Sequence, residues 1–502
     1  MKAFTRRQFL AGSATGAAGL IIPLELFAQP GTLLHLSPWI RIGTDDAVVL
    51  YMSQSEMGQA IYTGVAQILA DELDAEWSRI RLERAPVRAP CQVTLRGNSR
   101  QGTALLWRAL RNAGATGREM LIQAASQRWQ VPVSECTATD GFVVHASGKR
   151  YRYSELATAA AALPVPPNPR LKTRAEYRYI GKPLKRLDTV AKTTVSALFG
   201  IDVRVPGTLY AAVRHCPVFG GKIAGFNDAA ICAMPGVRAI VPVANGFVVV
   251  ADHQWKAFRA ADAMVLQVEP GSFSSVKHSH ALRAALDAER AAAAVSRGAG
   301  ATLIAGAAKV VEADYEVPYL AHAPMEPLCA TADVRADGCT MWVPTQQQTF
   351  SMLALAKVLG LAPERIQINT TYLGGGFGRK GVPDFVLEAA LASKAVGKPV
   401  KLMWSREEDI QQDRYRPGFM GRFRAGLDAN GDIVGLSARL AAQSLPTQVV
   451  PPWIRGRRVD RRRYGDDDLR HPELACRFRQ YGCADSTWLP ALDRFQSQSV
   501  HA

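Results

Sequence analysis

Four glycines within five positions, Gly374, Gly375, Gly376 and Gly378, enclose Phe377 and run into Arg379 and Lys380; no other stretch of this 502-residue sequence is better suited to receive a ligand. Glycines remove the side chains that hold a ligand off the backbone, accept positive φ, and let several N–H groups aim at one point near a helix start. That chemistry suits an anionic or oxo-bearing group; a Gly-rich loop without a ligand is the alternative. Two more stretches lead small and polar residues into a helical pattern: Ser55-Glu56-Met57-Gly58-Gln59-Ala60 and Arg96-Gly97-Asn98-Ser99-Arg100. Such a loop delivers a helix N-terminus, where anions bind, although a simple capped helix explains either one. Gln346, at the end of Trp342-Val343-Pro344-Thr345-Gln346, either faces a ligand or caps the helix that follows. His322 and Glu326 have metal-binding side chains, but Pro324 and Pro327 deny them a helical i, i+4 geometry, so a structural role is expected.

The elements that must position these residues follow from periodicity. Alternating apolar residues over 365–373 predict a half-buried strand before the glycines, and an amphipathic pattern over 384–396 predicts a helix after them. A helix is expected over 349–359, between Gln346 and that strand. Further upstream, 39–42 and 47–52 predict a hairpin around Gly43-Thr44-Asp45-Asp46, followed by helices over 65–73 and around Leu105 to Leu110. The proline-rich run 164–169 reads as a stiff linker, with a domain boundary across 164–186. Residues 187–297 mix short β-rich pieces with helices and form an expected α+β domain; 302–444 form the next block. After Ser444 the apolar periodicity ends, and the tail 445–502 carries ten arginines and no lysine. It reads as an aberrant segment produced by a frameshift near Leu445, with a disordered tail as the alternative.

Composition narrows the function classes. With 48% hydrophobic and 21% charged residues, the chain can bury a core in each of two or three domains. The net charge of +16 is scattered and not interleaved with aromatics, which argues against nucleic acid as a partner. Eight cysteines occur without a Cys-x-x-Cys pair, so neither structural zinc nor an iron–sulfur cluster is expected in this chain. Thr5-Arg6-Arg7-Gln8-Phe9-Leu10 before a weakly apolar run predicts a twin-arginine export signal over 1–30, hence a periplasmic protein carried folded.

Taken together, Trp342-Val343-Pro344-Thr345-Gln346 and Gly374-Gly375-Gly376-Phe377-Gly378-Arg379 resemble the molybdenum-binding subunits of the xanthine oxidase family. The export signal and Arg186-Leu187-Asp188-Thr189-Val190-Ala191-Lys192 narrow the likeness to isoquinoline oxidoreductase β-subunits and membrane-associated aldehyde dehydrogenases, over 5–444. The resemblance implies an α+β protein: an α/β-hammerhead domain over 187–297 and a mixed α/β molybdopterin-binding domain made of 31–163 and 302–444. It also implies a molybdenum–molybdopterin cytosine dinucleotide cofactor held through its own dithiolene, without protein ligands to the metal. Gln346 would hydrogen-bond near the metal oxo group, and the backbone of Gly374 to Arg379 would approach its other ligands. Gly58 and Gln59 resemble a pterin-contacting loop in which Ala60 replaces the usual final glycine; Gly97, Asn98 and Ser99 resemble a second loop near the metal. Both stand early in the chain, which implies a circular permutation.

The implied reaction is oxidation or hydroxylation of an aldehyde or N-heteroaromatic with water as the oxygen source. The implied partners are a small 2Fe–2S subunit and, as a further candidate, a cytochrome c subunit that brings the enzyme to the membrane. The family's general base, a glutamate in a Gly-Val-Gly-Glu type motif, has no counterpart in this sequence, so an incomplete and inactive chain is expected. Two other classes stay open: a nicotinamide-dependent dehydrogenase using Gly376, Gly378 and Gly381, and a non-catalytic remnant.

Overall fold

A computed structural model describes residues 19–23, 39–43, 45–85, 87, 99–271, 274–287, 293–296, 299–443 and 474–481. They divide into two units, one drawn from the chain up to 209 together with 324–403, the other from 210–323 together with the chain after 403. The first unit holds every described candidate cofactor-binding residue.

Its N-terminal part begins with a sheet ordered β1 (Gly19–Pro23), β2 (Trp39–Gly43), β3 (Val48–Met52) and β4 (Ile80–Arg84), the last pair parallel. The expected hairpin is β2–β3, antiparallel from Ile40 opposite Leu50 to Ile42 opposite Val48. Helix α1 (Ile61–Leu73) buries Val65, Ile68, Leu69 and Leu73 against this sheet's apolar residues and against α2 (Ser99–Trp129). The two helices come very close where Gly114 meets Glu72: a Cβ at Gly114 would lie 2.7 Å from the Glu72 Cβ. This close approach also buries two acidic groups on the last turn of α1, and both are satisfied. Asp71 accepts the backbone N–H groups of Arg178, Tyr179 and Ile180 at 2.7, 3.0 and 2.7 Å. Glu72 accepts from Arg111 Nε at 2.6 Å and from the N–H of Lys172 at 3.1 Å.

These bonds tie the residues that follow the proline-rich stretch to α1. The first unit continues to 209. The later part of the unit places strands in the order β8, β5, β6, β7: β5 (Cys329–Arg335) pairs antiparallel with β8 (Val400–Met403) and with β6 (Gly338–Val343), and β6 pairs parallel with β7 (Ile366–Thr370). Helix α3 (Gln348–Leu359) forms the β6–β7 crossover, as a parallel pair requires, and α4 (Asp384–Val396) connects β7 to β8.

In the second unit, residues 210–215 of the strand Leu209–His215 and the strand Val237–Val243 flank Gly246–Ala251 in an antiparallel sheet. A second sheet contains Lys309–Val317, Phe419–Leu427 and Ile433–Gln443 in that spatial order, with Leu282 and Leu286 of a helix packed on Met420 and Ala441. Residues 187–209 of the expected middle domain group with the first unit, and 404–443 of the expected next block group with the second. The tail, expected to contain no packed element, contributes one strand, Leu474–Tyr481, parallel to Ile433–Gln443; the rest of 445–502 lies outside the described residues. Among the described residues no helix is long and apolar enough to cross a membrane. The described architecture is α+β, with mixed α/β layering in the first unit.

Candidate functional site

The glycine turn leaves β7 by giving up its ladder one residue at a time. The N–H of Thr371 donates to Val343 O (3.3 Å), that of Tyr372 to Leu198 O (3.0 Å), and that of Leu373 to Glu56 O (3.1 Å). Gly374 then packs on Glu326 so tightly that a Cβ would lie 2.5 Å from the Glu326 Cβ, and Gly376 packs on Gln346, where a Cβ would lie 2.7 Å from Oε1. Gly375 and Gly378 take φ of +91° and +110°, and Phe377 itself sits at +52° with its ring exposed. Gln346 is buried; its own N–H donates to Lys380 O (2.9 Å) and its Oε1 accepts the N–H of Gly378 (3.0 Å). The Gly378 donor determines which end of the carboxamide faces the turn. Gln346 and Gly374 to Gly378 are therefore one assembly.

Arg379, the last candidate in this turn, is buried and forms a two-pronged pair with Asp384 at the start of α4, 3.0 Å on each prong. Its role in the structure is to anchor the turn to the helix. Lys380 is wholly enclosed and reaches Glu326 Oε2 at 2.6 Å; the same oxygen accepts the N–H of Gly374 at 2.9 Å, and Oε1 accepts that of Ile201 at 3.1 Å. Glu326 is thus structural, as the flanking prolines implied. His322 has a separate partner, Asp413, at 2.8 Å.

The early loop is closed in a similar way. The Glu56 side chain has no exposed area; Oε1 accepts the N–H groups of Gly58 (2.9 Å) and Ala60 (3.3 Å), and Oε2 accepts that of Tyr62 (3.4 Å). Helix α1 has no side-chain cap from its own N-cap residue, so Glu56 satisfies N–H groups that would otherwise be orphaned. Arg186 Nη2 and Lys192 Nζ supply positive charge at 3.0 and 3.3 Å. Gln59 spends its amide inside the loop: Oε1 accepts from the N–H of Met57 at 2.7 Å, and Nε2 donates to Ser55 O at 2.9 Å. Gly58, at φ +100°, has open space where a Cβ would stand. Ala60 sits at φ +61°, the left-handed conformation in which the usual glycine would cost nothing. Gly97 and Asn98 lie outside the described residues, and Ser99 opens α2.

Besides the bond from Leu373 to Glu56 O, two side-chain links join the early loop to the later segments. Ser55 Oγ donates to Thr345 O (2.8 Å), and Gln348 Nε2 donates to Ser55 Oγ (2.6 Å). Along this seam four buried polar atoms, Ser53 Oγ, Gln54 Oε1, Gln348 Oε1 and Thr371 Oγ1, have no hydrogen-bond partner among the described residues. A pterin, whose rim alternates N–H donors and acceptors, offers the chemistry these atoms lack, and the open backbone at Gly58 offers it an approach. The residues present fit such a group. Among the described residues no cluster of His, Cys, Asp and Glu could hold a metal ion. Beside the seam the Tyr372 ring carries Arg84 4.9 Å and Lys192 5.2 Å from its centre, and burial pushes the Tyr62 hydroxyl up to about 12.

The nicotinamide alternative does not match this geometry. Gly381 ends a 3-10 turn (Arg379–Gly381), and Val382 and Pro383 stand between it and α4, so the glycines do not open the helix as a dinucleotide fingerprint requires.

Two domain models, each described as a molybdopterin cofactor-binding domain, match residues 12–205 and 285–456. The beta chain of isoquinoline 1-oxidoreductase from Brevundimonas diminuta is 29% identical over 88% of this chain and 63% of its own length. The membrane-bound aldehyde dehydrogenase (pyrroloquinoline-quinone) of Gluconacetobacter polyoxogenes is 29% identical over 89% of this chain and 60% of its own. The chain belongs to the molybdenum-binding subunits of the xanthine oxidase family. It spans about 60% of the length of these two relatives. Among solved structures, the aldehyde oxidoreductase of Desulfovibrio gigas is similar to the chain with a TM-score of 0.46 at 18% identity, covering 59% of this chain and 38% of that one. The first unit of this family member also carries buried groups whose roles the sequence motifs do not announce: Ser55, Glu56, Gln348 and Lys380. A glutamate directly before Met57-Gly58 and a lysine directly after Arg379 were the available signals.

Proposed function

We propose that this chain is the molybdenum-cofactor subunit of an oxidoreductase that oxidises or hydroxylates an aldehyde or an N-heteroaromatic, taking oxygen from water. The observation that carries the reading is the convergence of Gln346 with Gly376 and Gly378, joined through Ser55 to the Gly58 loop. The names of the relatives, which include a nicotinate dehydrogenase of Pseudomonas putida, support an aldehyde or N-heterocyclic substrate. When bound, a molybdenum–pterin supplies two-electron oxidation coupled to oxygen transfer. The chain's own residues hold it: the turn Gly374 to Gly378 gives close backbone approach, Gln346 presents a carboxamide oriented by Gly378, and Gly58 opens the early loop. The N–H groups of Gly374 and Gly378 are spent on Glu326 and Gln346, so they fix the shape of the turn in advance of the reaction.

The finer parts of the reading are the cytosine dinucleotide form of the cofactor, a 2Fe–2S partner with a cytochrome c subunit as a further acceptor, and export to the periplasm through Arg6 and Arg7. The absence of clustered cysteines supports a partner that carries electrons away. The early position of the Gly58 loop supports a circular permutation. No glutamate in the sequence stands in a Gly-Val-Gly-Glu setting, so the 502-residue chain alone is expected not to turn over; loss of a general base costs about two to four orders of magnitude.

The test is metal and pterin analysis of the chain expressed in a host that makes the cofactor, with release of cytidine monophosphate on acid hydrolysis reporting the dinucleotide. Near-stoichiometric molybdenum and pterin are expected. A well-folded protein with neither overturns the reading.

A further inference from the structure

Residues 186–192 carry a family signature in the sequence, yet the cofactor reading gives the stretch 186–201 no task. In the structure it touches both glycine-bearing loops. At one end Arg186 donates from Nη2 to Glu56 Oε1 (3.0 Å) and from Nη1 to Gly58 O (3.3 Å), while Leu187 N–H bonds to Thr63 Oγ1 (3.1 Å) in the first turn of α1. Asp188 holds the two cations in place, receiving Arg186 Nη2 at 2.8 Å and Lys192 Nζ at 2.5 Å. Lys192 then spans the gap between the loops, with its ammonium 3.3 Å from Glu56 and 5.2 Å from the Tyr372 ring centre.

At the other end Leu198 O accepts the N–H of Tyr372 (3.0 Å), and the Phe199 ring lies 5.9 Å from that of Tyr372. Gly200 is pressed against Pro344 and Cys329, where a Cβ would come within 2.6 and 2.9 Å, and the N–H of Ile201 bonds to Glu326. These contacts fall on residues that shape the Gly58 loop, the Gln346 segment and the glycine turn.

We propose that residues 186–201 are a positioning brace that sets the two loops relative to each other and thereby decides whether the site retains its cofactor. For what the loops hold, this rests on the reading above; for the loops' geometry it does not. Arg186 and Lys192 are positioning residues, acting through Glu56 and Tyr372. Both are partly exposed and both reach Glu56, so replacing one leaves Glu56 with a remaining cation.

The test uses the full chain with Arg186→Met, Lys192→Met and the conservative Arg186→Lys. Hydrogen–deuterium exchange is read on peptides covering 55–62, 371–378 and, as a control inside α1, 65–73. Each Met variant is expected to exchange about tenfold faster over both 55–62 and 371–378 with no change over 65–73, because local opening exposes only the bonds the brace holds; Arg186→Lys stays within about threefold of wild type. No acceleration, acceleration over 55–62 alone, or a uniform rise including the control overturns the brace. Molybdenum and pterin content is then measured on the same samples. A fall of about fivefold or more in the Met variants, recovered in Arg186→Lys, supports the proposal, and content equal to wild type overturns it. Wild type without any pterin overturns the cofactor reading, while the exchange data still decide the brace.

Discussion

Glu56 and Glu326 do the same task in two loops under different conditions. Each is a buried carboxylate that collects backbone N–H groups from a glycine-bearing stretch: Gly58, Ala60 and Tyr62 for Glu56, Gly374 and Ile201 for Glu326. Their counter-charges differ. The cations of Glu56, Arg186 and Lys192, keep 34% and 21% of their side chains exposed, whereas Lys380 has none. Water can therefore take over part of the load at Glu56 when a cation is lost. At Glu326 nothing replaces Lys380, and removing either partner leaves an ion in a dry interior. The early loop is held adjustably and the glycine turn rigidly, which suits a site where the Gln346 contact must keep its geometry.

Breaking the rigid side should have the largest effect. Lys380→Met is expected to destabilise the protein by about 3–5 kcal/mol, and the double variant Glu326→Gln with Lys380→Met to recover more than half of that, because a buried pair costs most when only one partner is removed. Denaturant midpoints for the two variants check it. Equal losses would mean that the pair is solvated and that the contrast with Glu56 is false.

Steric variants sharpen the comparison. Gly376→Ala places a methyl 2.7 Å from Gln346 Oε1, while Gly58→Ala meets no atom and is opposed only by its φ of +100°. Overpacking typically costs about 1–3 kcal/mol and left-handed strain about 1–2 kcal/mol. Gly376→Ala should therefore lose more thermal stability and more bound pterin than Gly58→Ala, read as melting temperature and pterin fluorescence on paired samples. The reverse order would place the tighter constraint in the early loop.

Ala60→Gly tests the departure from the family pattern. Relief of strain at φ +61° is worth about 1–2 kcal/mol, and the greater freedom of glycine in the unfolded chain returns about 0.4–1 kcal/mol, so a small net gain is expected in the denaturant midpoint. The smallest effect is that of pH. Burial pushes the Asp188 carboxyl up, but the hydrogen bonds from Arg186 and Lys192 outweigh it and hold the group below its usual value. A depressed folded pKa gives stability that is fully present above the unfolded value, about 3.9, and lost as pH falls through the folded one. Exchange over 55–62 should accelerate below about pH 4 in wild type and show less acid dependence in Asp188→Asn.

Much of the local framework was legible. Helix α4 occupies 384–396 as its apolar pattern implied, and α3 starts one residue before the expected 349. The strand β7 is shorter than its alternation suggested because Thr371 to Leu373 keep the pattern but donate to Val343, Leu198 and Glu56, partners in three different segments. A structural role was expected for Glu326, but its partner was not, and the burial of Glu56 and Lys380 was missed, since a charged residue in a sequence reads as solvent-facing until its counter-charge is known. That counter-charge stands 130 residues away for Glu56 and 54 for Glu326. The tie between α1 and the residues after the proline-rich run was illegible for a similar reason: nothing local announces that Asp71 collects three successive N–H groups.

The bond from Ser55 to Thr345 closes over 290 residues of chain. At a synthesis rate of about 5–20 residues per second, the Gly58 loop leaves the ribosome roughly 15–60 s before the segment it must meet. During that interval the sheet β1 to β4, the helices α1 and α2, and the Glu56–Arg186–Lys192 cluster can already form, while the acceptor for Ser55 and the donor Leu373 do not yet exist. A nascent chain would therefore wait with the early half of its site assembled and the seam open, and that is the period in which its site is most exposed to misassembly.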